Sequence, residues 1–577
     1  MTAAPMNFQS SLERARAAQS RDGEVFNLCL VCGFTPMALR VQLVAAVADR
    51  LPSRRIECAT STIDELLEGR VPPAHGVAVA CEWSDLDPRL GVRRAGGWGG
   101  DAAADAVATA EARLALLVDC VVAAAQRSRV ALALPTLELP PVFATPAPAA
   151  DPLALRLRAA VAAGAARCAA APRVAVLERD ALELESPLGA RRDVARELAY
   201  DIPYTPEHSA TLAEALARLT VPAMPLKGVI TDLDDTLWRG LAGEVGADGV
   251  SWDLDHASQP HALYQQLLAS LAANGTLVAT ASKNDPEVVA AVLERRDLRL
   301  DARALFPIEV GWHEKSAMID RILAAWNVSA DAVAFVDDSA FELEQVRSRH
   351  PSLVCLRFPQ DPSDVLELCR ELRDLCGRAA PSAEDRLRRD GLAAQARAEA
   401  ERVASGTSME DFLAGLRART TIAFGQPEHT TRAWELVNKT NQFNINGQRI
   451  DEIAWQRQLE KPGTVLVTVD YEDRSGPLGV IGAMVAAPRE EAVEVSAWVL
   501  SCRAFSRRVE YRMLRALFDR FRARTVSVIY TPTARNARVR EFLGAFADVG
   551  ENDTVRVPRE RFDAACPHLY DEVVTHE

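Results

Sequence analysis

The chain has 577 residues, 49% of them hydrophobic and 25% charged. At about 150 residues per domain this calls for three or four separate cores and excludes general disorder. The 66 basic and 80 acidic residues leave a formal charge of −14, so no global field draws in nucleic acid or an anionic membrane. The amino-terminal stretch has no apolar core, and no run of about 18 apolar residues occurs; the expectation is a cytoplasmic protein with neither a membrane nor a nucleic-acid partner. Eleven cysteines are too sparse for a disulfide framework, and Cys29 and Cys32, although spaced as CxxC, lie in a strand-like run and read as core thiols.

From Val25 to about Leu184 short apolar runs (FNLCLVCG, RRIECAT, GVAVACEW, RVALALPT, RVAVLE) alternate with helical patterns, which predicts a doubly wound parallel sheet over 22–190. The proline-rich stretch Leu139 to Pro152 reads as a loop, and Pro222 and Pro225 mark a boundary. A second α/β domain opens with LKGVITDLD and spans 226–378. Residues 379–407, charged and rich in alanine, read as a solvated connecting helix. The last domain, 408–577, combines the helix HTTRAWELVNKT with strands TVLVTVDYE, LGVIGAMVAA and AVEVSAWVLSC. A helix (RRVEYRMLRALFDRFRAR), the strand TVSVIY and a final helix complete an α+β pattern.

The segment GVITDLDDTLW carries the strongest chemical signal, because an apolar strand runs straight into Asp232, Asp234, Asp235 and Thr236. Crowded carboxylates repel, and a divalent cation or a transferred phosphoryl group is what makes such crowding useful. At the carboxyl end of a parallel strand Asp232 is placed to attack phosphorus, and Asp234 to supply and remove the leaving-group proton. Three further pieces follow in order. TASKND offers Ser282, Lys283 and Asn284 to phosphate oxygens; Lys315 opens a helix, suited to pairing with carboxylate and phosphate; FVDDSAFE ends a strand in Asp337 and Asp338, hard oxygen ligands for Mg²⁺.

This order of DxDxT, strand-Ser, Lys and strand-DD resembles the haloacid dehalogenase superfamily of phosphotransferases. The resemblance implies Asp232 as nucleophile, Asp234 as acid/base, Thr236 and Ser282 as phosphate contacts and Lys315 as charge stabiliser. It also implies Mg²⁺ held by Asp232, Asp337 and the backbone carbonyl of Asp234, with less defined roles for Asp338 and Glu342. The stretches from Thr236 to Ser282 and from Ser282 to Lys315 are too short for a large cap domain, so the site is expected to be open to a macromolecule or covered by a neighbouring domain.

In the last domain, KTNQFNING clusters polar residues, among them Asn441 and Gln442, after an amphipathic helix. They suit ligand binding, a bridge to another domain or an Asx-rich loop. Cys502 ends a strand before a helix, beside Arg503, Arg507 and Arg508, a setting that lowers a thiol's pKa and makes it a candidate nucleophile. The strand and helix order looks like the acyltransferase fold of the GNAT-type N-acetyltransferases, but the turn RAFSRR lacks the glycines that hold a coenzyme A pyrophosphate.

Taken together, LKGVITDLDDTLWRGLAGEVG, TASKND, FVDDSAFE, KTNQFN and SCRAFSRRVE resemble the FkbH-like proteins, which join a capless haloacid dehalogenase domain to a GNAT-like acyltransferase domain. That resemblance implies a glyceryl transferase and phosphatase for polyketide-type pathways. It would take a phosphorylated three-carbon acyl donor, 1,3-bisphosphoglycerate, release phosphate and load a phosphopantetheinylated acyl carrier protein through a thioester on Cys502. Asp235 stands where the family usually has Asn, Arg239 where Gly is common, and Ser506 replaces a usual Gly. A basic surface including Arg503, Arg507, Arg508 and Arg512 would be needed to receive an acidic carrier. The amino-terminal domain resembles the flavodoxin-like or SGNH-hydrolase-like region that often precedes this pair; it retains His208 but no Gly-Asp-Ser turn, and is expected to be non-hydrolytic. The alternatives are a stand-alone phosphatase acting on a sugar phosphate or phosphoprotein, and a non-catalytic carrier-protein scaffold.

Overall fold

The computed structural model describes residues 8–576 apart from 95–97, 99, 147, 379–391, 393–407, 441, 448, 451, 475, 502–503, 506, 534–535 and 551–553. The connecting helix expected over 379–407 therefore lies outside the described residues, save Leu392. The chain divides into two compact units, Met1–Met224 and Pro225–Glu577. Among the described residues no helix is long and apolar enough to cross a membrane.

In the first unit β1 (Val25–Cys32), β2 (Arg55–Ser61), β3 (Gly76–Ala80), β4 (Arg129–Ala133) and β5 (Val174–Val176) form a parallel sheet. The order is β2-β1-β3-β4-β5, that of flavodoxin-type doubly wound sheets. All five residues of β3 are buried, as expected where helices cover both faces. Helices Phe8–Gln19 and Pro206–Thr220 both pack on helix Met37–Arg50, and Ala15, Ala18, Leu212 and Leu216 share one core with Leu28 and Leu43. The unit therefore extends beyond 22–190 at both ends. Cys29 and Cys32 belong to the cores on opposite faces of the sheet, because an odd spacing in a strand reverses the side-chain direction. Together they cannot grip a metal, and burial pushes both thiols up to about 12.

His208 is fully buried. Its Nδ1 meets Ser186 Oγ at 2.9 Å and its Nε2 meets Thr136 Oγ1 at 3.1 Å. Thr136 in turn donates to the buried Glu82 at 2.5 Å, and Tyr204 donates to the same oxygen. Burial, helped by the nearby Arg191 cation, takes the His208 imidazole down to about 3. A neutral ring with both nitrogens engaged ties the loops after β3 and β4 to helix Pro206–Thr220. That is a packing role.

The second unit opens with β6 (Gly228–Thr231), β7 (Leu277–Ser282), β8 (Leu305–Val310), β9 (Val333–Asp337) and β10 (Val354–Arg357), parallel in the order β10-β9-β6-β7-β8. The chain winds to one side of β6 and then, through β9, to the other, so the crevice outside the carboxyl ends of β6 and β9 is the topological switch point where such sheets bind ligands. Gly228 is required for packing here, since a Cβ on it would overlap the indole of Trp326, a fully buried ring of the same core. Gly228→Ala is expected to destabilise the protein by about 1–3 kcal/mol, read as a lower denaturant midpoint at an unchanged slope.

The remaining strands, β11 (Arg419–Phe424), β12 (Val465–Asp473), β13 (Gly476–Pro488), β14 (Ala492–Leu500), β15 (Thr525–Ile529), β16 (Thr554–Pro558) and β17 (Glu572–His576), make one mixed sheet in the order β16-β15-β14-β13-β12-β11-β17. β11 to β14 pair antiparallel, whereas β14 with β15 and β11 with β17 pair parallel. Helix Val509–Phe521 fills one face, and helix Thr430–Lys439 covers the other.

Candidate active site

The loop after β6 is built by its own carboxylates. Asp235 adopts a left-handed conformation, φ 50°, which Asn and Asp tolerate best among non-glycine residues. Asp235 Oδ1 accepts from Gly240 N–H at 2.8 Å. An Asp at this position is thus compatible with the backbone geometry of the turn. Helix Gln259–Ala273 pins the loop from behind, with Gln265 Nε2 donating to the Leu237 carbonyl at 2.8 Å and His261 Nδ1 lying 2.9 Å from the Thr236 carbonyl.

Asp232, Asp337 and Lys315 are buried at the switch point. Lys315 Nζ lies 3.0 Å from Asp232 Oδ2 and 2.6 Å from Asp337 Oδ2. Burial opposes the Lys315 charge, but these two carboxylates outweigh it and hold the ammonium above the usual lysine value. Oxygens of Asp232, Asp337 and Asp338 all lie within 4.8 Å of one another, and Asp232 Oδ1 is buried with no hydrogen-bond partner. A hard cation fits such a set, because three carboxylate oxygens facing one point need positive charge beyond a single ammonium. Burial first and the Asp232 charge second raise both Asp337 and Asp338 above the ordinary carboxylate range. Protons and a divalent cation then compete for these groups. Mg²⁺ affinity, followed by calorimetry, is expected to weaken as pH falls from 8 towards about 5, with proton release on binding; a pH-independent affinity would contradict this.

Asp234 stands apart from the carboxylate cluster. Its Oδ1 accepts from Trp238 Nε1 at 2.9 Å and Ala242 N at 3.1 Å, and its Oδ2 from Asn284 Nδ2 at 2.9 Å. Burial raises its pKa despite these donors. Of the expected metal set, Asp232 and Asp337 contribute their carboxylates to the cluster, and the Asp338 carboxylate joins them there; from Asp234 only the backbone carbonyl was expected, and its side chain is engaged elsewhere. Ser282 ends β7 and is buried beside the loop that follows β8, whose Gly311 N–H donates to the Ser282 carbonyl at 3.2 Å. Thr236 Oγ1 accepts from Asp338 N at 3.1 Å, tying the loops after β6 and β9 together.

Three expected phosphate contacts are thus already engaged with protein groups. Thr236 holds a backbone amide, Asn284 holds Asp234, and Lys283 is in an ion pair with Glu342 at 2.7 Å. Among the described residues no separate lid is inserted between Thr236 and Lys315. Between Thr236 and Ser282 the chain makes only helices Ala242–Val245 and Gln259–Ala273 and β7 as regular elements, and between Ser282 and Lys315 only helix Pro286–Leu293, a single 3₁₀ turn and β8. Trp312 and Phe341, in the segments following β8 and β9 and so at the strand ends of the edge that carries the site, are 78% and 72% exposed.

In the mixed-sheet half, Cys502, Arg503 and Asn441 lie outside the described residues, as does Ser506. Gln442 donates its amide to Asn327 Oδ1, and Lys227 Nζ donates to the Lys439 carbonyl at 2.7 Å. Asn327 closes the helix that Lys315 opens, a helix of twelve residues and so about 18 Å long. Gln442 is therefore a bridge to the β6–β10 half, at the far end of that helix from the carboxylates. The neighbouring residues fill the fork where β14 and β15 diverge. Ile445 N donates to the Trp498 carbonyl at 3.1 Å, Leu500 N to Phe443 O at 3.0 Å and Thr531 N to Ile445 O at 2.9 Å, while Asn536 Nδ2 holds the Asn444 carbonyl at 3.0 Å. The strand-edge groups an extended ligand would use there are already paired. Three of the arginines expected to form a basic docking surface are also tied inward, Arg507 to Asp473 at 3.0 Å, Arg512 to Asp571 at 2.7 Å and Arg508 to Glu410. Their charge is spent on internal pairs.

No protein-family model matches the chain, and no curated protein matches it in sequence. Among solved structures, the N-terminal part of the protein BF1531 from Bacteroides fragilis, described as containing a phosphatase domain and complexed with Mg, aligns over 64% of this chain and 99% of its own length. The TM-score is 0.51 at 17% identity. The tagatose-6-phosphate ketose/aldose isomerase from Escherichia coli aligns over 65% of this chain and 89% of its own at 9% identity, but with a TM-score of 0.14, far below a shared fold. Over the aligned part the chain thus shares an α/β fold with that protein; the chain itself carries two parallel sheets followed by a mixed one.

Proposed function

We propose that the protein is a Mg²⁺-dependent phosphatase of the haloacid dehalogenase type that works within an FkbH-like glyceryl transferase. The observation that carries this reading is the meeting of the buried Asp232 and Asp337, both paired with Lys315, and the half-buried Asp338 at the switch point of a parallel sheet. Asp232 attacks phosphorus in line while Asp234 protonates the departing oxygen; Asp234 then takes a proton from the water that opens the aspartyl phosphate. Mg²⁺, held by Asp232, Asp337 and Asp338, supplies charge neutralisation for the phosphoryl oxygens. A scaffold needs none of this constellation.

The finer reading concerns the substrate. The donor is a phosphorylated three-carbon acyl group of the 1,3-bisphosphoglycerate kind, and the acceptor is a phosphopantetheinylated acyl carrier protein reached through Cys502. The capless site and the exposed Trp312 and Phe341 favour a partner of macromolecular size. Incubation with Mg²⁺, a 1,3-bisphosphoglycerate-generating system and carrier protein tests it, with intact carrier mass and released phosphate as readouts. A glyceryl mass increase that disappears in Asp232→Asn supports the coupled reaction. The filled β14–β15 fork and the inward-paired arginines favour a second reading, a phosphatase that acts without a carrier; phosphate release with the carrier unmodified selects it.

A further inference from the structure

Asp234 has four acceptor positions, two lone pairs on each oxygen. Both positions on Oδ1 are taken, by the indole N–H of Trp238 and the backbone N–H of Ala242, whereas Oδ2 accepts a single bond, from Asn284 Nδ2. Trp238 is fully buried and Asn284 nearly so. The Asn284 amide cannot be turned around, because its own Oδ1 accepts from Asp285 N–H at 2.9 Å, which leaves the NH₂ end facing Asp234. Asn284 also comes from a different element, the loop after β7, so it fixes Asp234 against the neighbouring strand and not merely within its own turn.

We propose that Asp234 carries its transferable proton on Oδ2 and that Asn284 is the positioning residue that aims this oxygen. This rests on the phosphatase reading above. In the first step the Oδ2–H bond breaks and the proton goes to the leaving-group oxygen as its bond to phosphorus breaks and Asp232 forms the new one. In the second, Oδ2 accepts a proton from the water that attacks phosphorus, and the Asp232 carboxylate and inorganic phosphate are released. The Asn284 N–H stays on Oδ2 throughout, whereas a residue used to bind phosphate would leave Asp234.

A leaving group of low pKa departs without a proton and an alkoxide does not, so the two substrate types report separately on acid catalysis. The test compares p-nitrophenyl phosphate with glycerol phosphate, at saturating Mg²⁺, for the wild type, Asn284→Asp, Asn284→Ala, Asp234→Asn and the Asp234→Asn/Asn284→Asp double variant. The Asn284 variants are expected to lose on the order of 10²-fold in kcat on glycerol phosphate and only a few-fold on p-nitrophenyl phosphate, with KM little changed. The double variant is expected to be no worse than Asp234→Asn alone, as for residues acting through one group. Equal losses on the two substrates, or a rise in KM as the main effect, overturn the positioning role and leave the phosphatase reading intact. A wild type that releases phosphate from neither substrate overturns both.

Discussion

In chelator, the Lys315→Met protein unfolds at a clearly lower temperature than the wild type, and Mg²⁺ raises its midpoint by more than it raises that of the wild type. Lys315 is the only cation within hydrogen-bonding distance of Asp232 and Asp337 among the described residues. Removing one partner from a buried ion pair costs about 3–5 kcal/mol, because charge is left uncompensated. Methionine keeps the length and apolar bulk of the stem, so lost packing contributes little. The sign with pH follows from the raised carboxylates. Asp337 and Asp338 titrate above their unfolded values, so their ionised forms weigh against the fold at neutral pH. That cost is relieved as pH falls through the raised range, and the deficit of Lys315→Met is expected to shrink in mild acid. A variant that melts with the wild type in chelator, or gains no more from Mg²⁺, would show that the three carboxylates are not a cation site.

The second large effect is chemical. Asp232→Asn is expected to fold normally yet release phosphate at least about 10³-fold more slowly than the wild type. An amide matches the carboxylate in shape but offers no anionic oxygen to attack phosphorus, and it also removes one of the two charges facing Lys315. A phosphate assay on an alkyl and an aryl ester, with circular-dichroism melts as the folding control, reads this directly. Loss on both esters separates Asp232 from the acid–base pair, whose removal spares the aryl ester.

Most of the parallel-sheet architecture was legible because it lies in apolar runs of ordinary length. GVIT, LVATAS and VAFVD form β6, β7 and β9, and the carboxylates at or just past the ends of β6 and β9 lie together. What sequence reading missed is polar, short or distant in the chain. β11, β16 and β17 have six, five and five residues, and β17 is largely exposed, so no alternation marks it. Helices Phe8–Gln19 and Pro206–Thr220 fell outside the expected first domain because their apolar faces are completed by elements distant in the chain, helix Met37–Arg50 foremost.

The site shows the same limit. Asn284 reads as a phosphate contact from its place beside Ser282 and Lys283, and only the fold shows its amide turned to Asp234, fifty residues away. Lys283 pairs with Glu342 across fifty-nine residues, and Arg507, Arg508 and Arg512 find acidic partners that no local spacing announces. Spacing reveals which side chains share a strand end; it does not reveal which of them satisfy one another.

The most direct test of the central claim is a rapid acid quench of the protein with Mg²⁺ and an excess of aryl phosphate, followed by intact mass measurement and mapping of the adduct. The account predicts a single added phosphoryl group on Asp232, absent in Asp232→Asn and in chelator. Phosphate release with no adduct on Asp232, or an adduct elsewhere, would contradict it.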